Sequence, residues 1–287
     1  MVLLEVCCTS LDSALAMLRA GAHRLEICSD LSCGGLTPAW LSLLHPATFP
    51  STPQHTGTVP PYQQHTRTYQ PIQQPTLQHI GTFPPDQQHT GISLEEFLER
   101  THVLIRCRPG NFCFSHAEVG TMCESIRLCR QIGVRGVVIG ALTSEGDPDL
   151  PALHLMINAA TAPGPGPATA SAIGTATATC TSPRPLTLVF HRAFDECRDP
   201  LGTLEQIINL GFSTILTSGQ APNAEAGIPM LSQLVDKAAG RITIMAGKGV
   251  TVDNVTKIIR QTGVPAVHLS ERPGIPEVLL RTFHSSC

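Results

Sequence analysis

Eight short apolar runs recur along this chain, each followed by small or polar residues and then a stretch with helical character. They are LLEVCC (3–8), RLEICS (24–29), HVLIRCR (102–108), GVVIGAL (136–142), LTLVFHR (186–192), TILTSG (214–219), ITIMAG (242–247) and AVHLS (266–270). Helical signals lie between several of them: Asp12 to Arg19 is closed by Gly21, and Leu201 to Leu210 by Gly211, glycine being the common helix stop. Regular alternation of strand and helix predicts a parallel sheet. Eight parallel strands can close on themselves, which removes the exposed edges of an open sheet. The rival, a doubly wound open sheet, calls for a G-x-G-x-x-G turn with an acidic residue about 20 positions on, and no strand here is followed by one. The expected class is α/β, a (β/α)8 TIM-type barrel of parallel strands forming a single domain over residues 1–287.

Two segments interrupt the rhythm. Residues 46–91 are rich in Pro, Gln, Thr and His, with Gln-His pairs at 54–55, 64–65, 78–79 and 88–89, and residues 161–185 are an Ala/Thr/Pro/Gly run. Such compositions bury too little apolar area to offset the entropy of ordering them, so both read as loop insertions. The histidines of the first could suggest a metal array, but expansion of a loop repeat explains them more simply. Over the whole chain, 42% hydrophobic content suffices for a sizeable core. A net charge of −3 gives no basic field for nucleic acid, and no apolar run reaches the roughly 18 to 20 residues of a membrane span. The chain begins MVLLEVCCTS, without the features of a secretory leader, so its eleven cysteines are expected to be reduced and cytosolic.

Strand alternation then sorts the polar residues. Glu5 and Cys7 share a face, as do Glu26 and Cys28, with Val6 and Ile27 turned to the helices. Sequential strands are usually neighbours, about 4.8 Å apart, so these carboxylates and thiols can line one inner wall near the carboxyl ends, where barrel proteins keep their sites. The third strand contributes His102, Leu104, Arg106 and Arg108, and the fifth His191 and Asp195. Glu5 or Glu26 would be natural partners for Arg106, since a lone charge inside a barrel is costly. His268 can face inward from the last strand. Thiolates are soft ligands suited to Cu(I), although buried cysteines commonly act as small hydrophobes. Glycine-flanked turns after the sixth and seventh strands place Ser218, Gly219, Gly247, Lys248 and Gly249 where an anion could be received, a tight turn being the equal alternative.

LLEVCCTS, HRLEICSDLSCGGLTP, LIRCRPGNFCFS, FHRAFDECRDP, LTSGQ and IMAGKGV resemble, in this order, signature segments of the CutC copper homeostasis protein family. The resemblance covers Met1 to Leu44, Leu94 to Asn158 and Leu186 to Ser270. It implies a (β/α)8 barrel, a cytoplasmic or nucleocytoplasmic location, frequent oligomerisation, and Cu(I) bound by cysteines of the first two strands, which match Cys7 and Cys28 here. There are departures. Family members usually read I-R-P-R-G-G-D-F where this chain has Ile105 to Phe112, so that Pro109 replaces a glycine and Asn111 an acid. His116 stands where another carboxylate is usual, and the stretch from Glu271 to Cys287 offers one short helical candidate, Pro276 to Phe283.

Three functions follow as expectations. The first is copper(I) binding in copper homeostasis, with Cys7 and Cys28 as ligands and Cys8 as a third. The second is a barrel enzyme acting on a small anionic metabolite, with Arg106 and Arg108 as anion clamps, His191 as general acid or base, and Glu5, Glu26 or Asp195 as its carboxylate partner. The third is a non-functional or purely interacting variant. Because the barrel pattern resumes after residue 91, limited proteolysis is expected to cut within 46–91 first and leave a cooperatively unfolding barrel. Protection of that tract equal to the strands would show that it packs as structure.

Overall fold

The computed structural model of the protein describes residues 2–39, 92–162 and 184–271. The tract at 46–91, most of 161–185 and the expected Pro276–Phe283 helix lie outside the described residues. The order is β1 (Leu3–Cys8), α1 (Leu11–Arg19), β2 (Arg24–Ile27), α2 (Leu94–Glu99), β3 (Thr101–Leu104), α3 (His116–Ile132), β4 (Gly136–Ile139) and α4 (Leu150–Thr161). It continues with β5 (Thr187–Phe190), α5 (Pro200–Asn209), β6 (Thr214–Thr217), α6 (Ile228–Ala238), β7 (Thr243–Ala246), α7 (Val255–Thr262) and β8 (Ala266–Ser270). All neighbouring strands are parallel, and β8 pairs with β1 to close an eight-stranded barrel. Each expected apolar run holds one strand, β3 alone starting a residue earlier, at Thr101.

Local chemistry starts and stops the helices. Ser10 caps α1 and Ser115 caps α3 through reciprocal capping boxes, and Asp149 and Asp199 accept N–H bonds at the starts of α4 and α5, where proline follows. Gly21 and Gly211 lie just past α1 and α5 with positive φ, as their expected stop role requires.

Period-two alternation divides the apolar residues into two cores. The larger lies between sheet and helices and includes Val6, Ile27, Val137, Phe190, Ile215 and Val267. The smaller fills the lumen with Cys7, Cys28, Leu104, Val138, Val189, Leu216, Met245 and Ala266. At Gly136 on β4 and Gly140 just past it, the inward positions either side of Val138 are glycines, and the imidazoles of His102 on β3 and His191 just past β5 occupy the space. A Cβ on Gly136 would lie 2.6 Å from His102 Cδ2, and one on Gly140 would lie 2.6 Å from His191 Nδ1.

This packing sets a paired expectation. Gly136→Ala brings its Cβ within 2.5 Å of the Thr187 carbonyl oxygen, which is backbone and cannot swing aside. Overpacking of this kind costs about 1–3 kcal/mol. Gly120→Ala, on α3 with nothing within 4 Å of the new Cβ, instead gains roughly 0.5–1 kcal/mol from helix propensity. Denaturant midpoints of the two variants, moving in opposite directions from the parent, are the check.

Candidate functional site

The polar wall of the lumen is built by register. Glu5 lies opposite Arg24 on β2 and His268 on β8, and Cys7 lies opposite Glu26 and Ser270. Glu5 is fully buried. One of its oxygens receives Arg24 Nε at 2.5 Å, and the other meets His268 Nδ1 at 2.7 Å. Arg24 also donates to Met245 Sδ at 3.4 Å. Burial pushes the Glu5 pKa up, but Arg24, the His268 hydrogen bond and the nearby imidazole charges outweigh it and bring the value to about 2. Burial pulls His268 down, and the Glu5 hydrogen bond with the Glu26 and Glu5 charges overcomes it, so that His268 is raised.

Glu26 has a different environment. Burial first, and then the negative charge of Glu5, raise its pKa against the opposing effect of His268. Its Oε1 accepts from Cys7 Sγ at 3.5 Å, and its buried Oε2 has no hydrogen-bond partner among the described residues. Cys7 Sγ approaches Cys28 Sγ to 2.8 Å, and both are unpaired thiols. Its contact with Cys28, then burial and the Glu26 charge, raise the Cys7 pKa. Ligand atoms of Cys7, Glu26 and His268 all lie within 4.8 Å of one another. With Cys28 added, the mouth of β1, β2 and β8 presents two sulfurs, a carboxylate and an imidazole, a donor set able to hold a metal ion.

Other expected site residues are placed elsewhere. Cys8 turns outward, joins the helix-facing core and contacts the Val6 carbonyl at 3.7 Å, because adjacent strand residues face opposite ways. Arg106 pairs with neither glutamate: Glu5 already holds Arg24, and the Arg106 guanidinium bonds the carbonyls of Cys33, Gly35 and Gly110 at 3.0, 3.3 and 2.6 Å. It thereby anchors the loop after β2 over Cys28. Gly35 in that loop has φ +90, and a Cβ there would meet Leu104 at 2.7 Å and Cys28 Sγ at 3.8 Å, so glycine is required for both conformation and approach. Arg108 lies beyond β3, outside the lumen, and pairs with Glu118 at 2.6 Å. Asn111 accepts from Arg108 through Oδ1, preserving a contact to that arginine without the acid's charge. The backbone freedom of this turn is used at Gly110, with φ +91, rather than at Pro109.

Asp195 does not meet His191. Its carboxylate accepts from Thr217 Oγ1 at 2.5 Å and from the N–H groups of Ser218 and Gln220 at 2.9 and 3.2 Å, with Arg192 at its side. Gly219 N–H donates to Thr217 Oγ1 and Gly247 N–H to the Thr217 carbonyl. Ser218 Oγ donates to the Ala221 carbonyl. The turns expected to receive an external anion therefore direct these donors to the protein's own acceptors. Lys248 and Gly249 remain in the loop after β7 with positive φ, and Lys248 is exposed. His191 is buried at the end of β5, where burial and then the Arg106 charge push its pKa down to about 3. That value and the absence of a carboxylate contact among the described residues do not favour a neutral-pH acid–base pair.

The arrangement defines a class: a parallel (β/α)8 barrel with a sulfur-rich polar cluster at the carboxyl mouth of its first, second and last strands. The chain belongs to the CutC family, whose profile matches residues 2–60, 95–170 and 172–273. A CutC family protein of Bacteroides fragilis is 34% identical over 273 residues, covering 95% of this chain and 81% of the relative. That of Pasteurella multocida is 33% identical over 267 residues, covering 93% and 81%. Among solved structures, the CutC of Streptococcus agalactiae, provisionally assigned to copper homeostasis, has a TM-score of 0.65 at 26% identity and covers 94% of this chain and 98% of that one. Among the described residues no helix is long and apolar enough to cross a membrane.

The histidines set an acid limit. Burial, with Arg24 next, brings His102 to about 3, as burial and Arg106 do for His191. Their unfolded pKa is about 6.5, so the unfolded chain binds more protons in between, and their contribution is full above about 6.5 and lost as pH falls toward 3. Glu5, at about 2 when folded, adds a loss in the same direction below its unfolded value. Stability is expected to fall over this window, His102 and His191 each supplying a limiting slope of about 1.4 kcal/mol per pH unit and His268, whose pKa is raised, supplying none of it. Urea titrations at stepped pH should show the slope reduced by about one proton in His191→Asn. An unchanged slope would show that His191 is solvated.

Proposed function

We propose that this protein binds Cu(I) as part of copper homeostasis, at Cys7 and Cys28. The observation that carries the reading is the 2.8 Å approach of two unpaired, buried thiols from adjacent strands. Thiolates are soft, and two of them suit Cu(I) over the harder divalent ions. Glu26 and His268 stand beside them as further donors. Family membership and the assignment of the Streptococcus agalactiae relative support the same ion. The Cys7 thiol holds its proton well above the usual range, so the ion must displace it, and affinity rises with pH. The same reading places the protein in the reducing cytoplasm or nucleus, where such thiols persist.

Cys7→Ser combined with Cys28→Ser is expected to abolish high-affinity Cu(I) binding while the far-ultraviolet circular dichroism stays that of the parent. Cys8→Ser, on the helix-facing side, should bind as the parent does. Anaerobic Cu(I) titration against a competing chelator decides between them. Parental affinity in the double variant would refute the site.

A further inference from the structure

A second polar constellation lies at the same mouth on β3, β4 and β5, and the thiol site makes no use of it. Arg106 and His191 lie just past the ends of β3 and β5, the His191 ring against Gly140, and are 6% and 4% exposed. The Phe112 ring stands against both: Arg106 Cζ is 4.8 Å from its centroid, and the His191 ring centre is also 4.8 Å away.

The protonation of His191 follows from its hydrogen bond. Nδ1 accepts the Ala193 backbone N–H at 3.1 Å, and a ring nitrogen that accepts carries no hydrogen. Burial keeps the ring neutral, so its single proton sits on Nε2, which is buried and has no hydrogen-bond partner among the described residues. Arg106 presents a comparable donor. Its terminal nitrogens are taken by the three carbonyls, its Nε is buried without a partner among the described residues, and no carboxylate there forms an ion pair with it. Carbonyl dipoles bond the guanidinium without neutralising it. Two buried N–H donors and one guanidinium that feels the Glu196 charge but forms no ion pair among the described residues, walled by an aromatic ring, match an acceptor that brings its own negative charge.

We propose that Arg106 Nε–H and His191 Nε2–H form a binding site for the carboxylate of a small metabolite, against Phe112 and separate from the thiol pair. One negative charge balances one guanidinium, and a carboxylate's two oxygens suit two single donors from different strands. Phosphate is the poorer match. A dianion would leave a charge unbalanced at this depth, and the backbone donors that barrels commonly offer it are partly spent here, those of Ser218 and Gln220 on Asp195 and that of Gly247 on a carbonyl. The proposal does not depend on copper binding.

The test uses the full-length, copper-free protein with 15N-labelled histidine. Acetate, pyruvate and inorganic phosphate are titrated separately at constant ionic strength, and the His191 ring nitrogens are followed by NMR. Saturable movement of the Nε2 signal with a carboxylate, and a weaker response to phosphate, is expected. His191→Asn removes that donor while its Oδ1 can still accept the Ala193 N–H, so a folded variant is anticipated. With the same probe, its affinity, read by calorimetry, should fall roughly tenfold or more. Arg106→Gln should do the same and, because it also loses carbonyl contacts, is read beside His191→Asn rather than alone. Cys7→Ser/Cys28→Ser should bind the carboxylates as the parent does, so that failure of the copper site and failure of this one are separable. A response that does not saturate, one that survives in His191→Asn, or saturation by phosphate without the carboxylates would overturn the proposal.

Discussion

Glu5 is a carboxylate in the middle of a barrel, held ionised by Arg24 on one side and His268 on the other. A charge buried this deeply costs several kcal/mol unless it is paired, roughly as much as a small domain has to spare. The pairing follows from parallel register, which sets Glu5 opposite both partners. It has a consequence one residue pair further along. Because the donors Arg24 and His268 are committed to Glu5, Glu26 is left with a thiol on one oxygen and no described partner on the other. The ion pair thereby leaves an unused carboxylate oxygen lone pair beside Cys7 and Cys28, where a cation can be held.

The mouth is divided by chemistry. Sulfur, carboxylate and imidazole gather on β1, β2 and β8, whereas N–H donors without acceptors gather on β3 and β5. The loop after β2 joins the two sides. Arg106 holds the carbonyls of Cys33 and Gly35, and Gly35 lies against Cys28. A third position, after β6, is filled by the protein itself, since Asp195 sits among the amides of that turn as a bound anion would.

Strand alternation made much of this legible. The same period of two that turns Glu5, Cys7, Glu26 and Cys28 inward also turns Arg24 inward, two residues before Glu26, so the counter-ion could have been read from RLEIC. It likewise separates Cys7 from Cys8, whose adjacency suggested a shared role that parity forbids. Alternation stopped being informative at the strand ends. Arg108 shares the parity of Arg106, but the chain has left the sheet and bends at Gly110, so its partner is Glu118 on α3. Asp195 follows the spacing of His191 yet belongs to a helical turn that aims it at β6. The partners of Arg106 are backbone carbonyls, and residue types carry no sign of those.

The lumen is also asymmetric, and its histidines register the asymmetry. Leu104, Val138, Val189, Leu216 and Met245 contribute apolar side chains from β3 to β7, while the ion pairs of the lumen lie on β1, β2 and β8. Desolvation therefore acts on His102, His191 and His268 alike, and in each it is the largest single influence, favouring the neutral ring. The neighbours decide the outcome. His102 has Arg24 close by and His191 has Arg106, so the positive charge adds to burial and both stay neutral. His268 touches Glu5 and feels Glu26, and those two carboxylates reverse the effect of burial. One residue type thus takes opposite charge preferences within a single barrel. A donor to an anion and a partner to a carboxylate can coexist because strands on different sides of the lumen carry them.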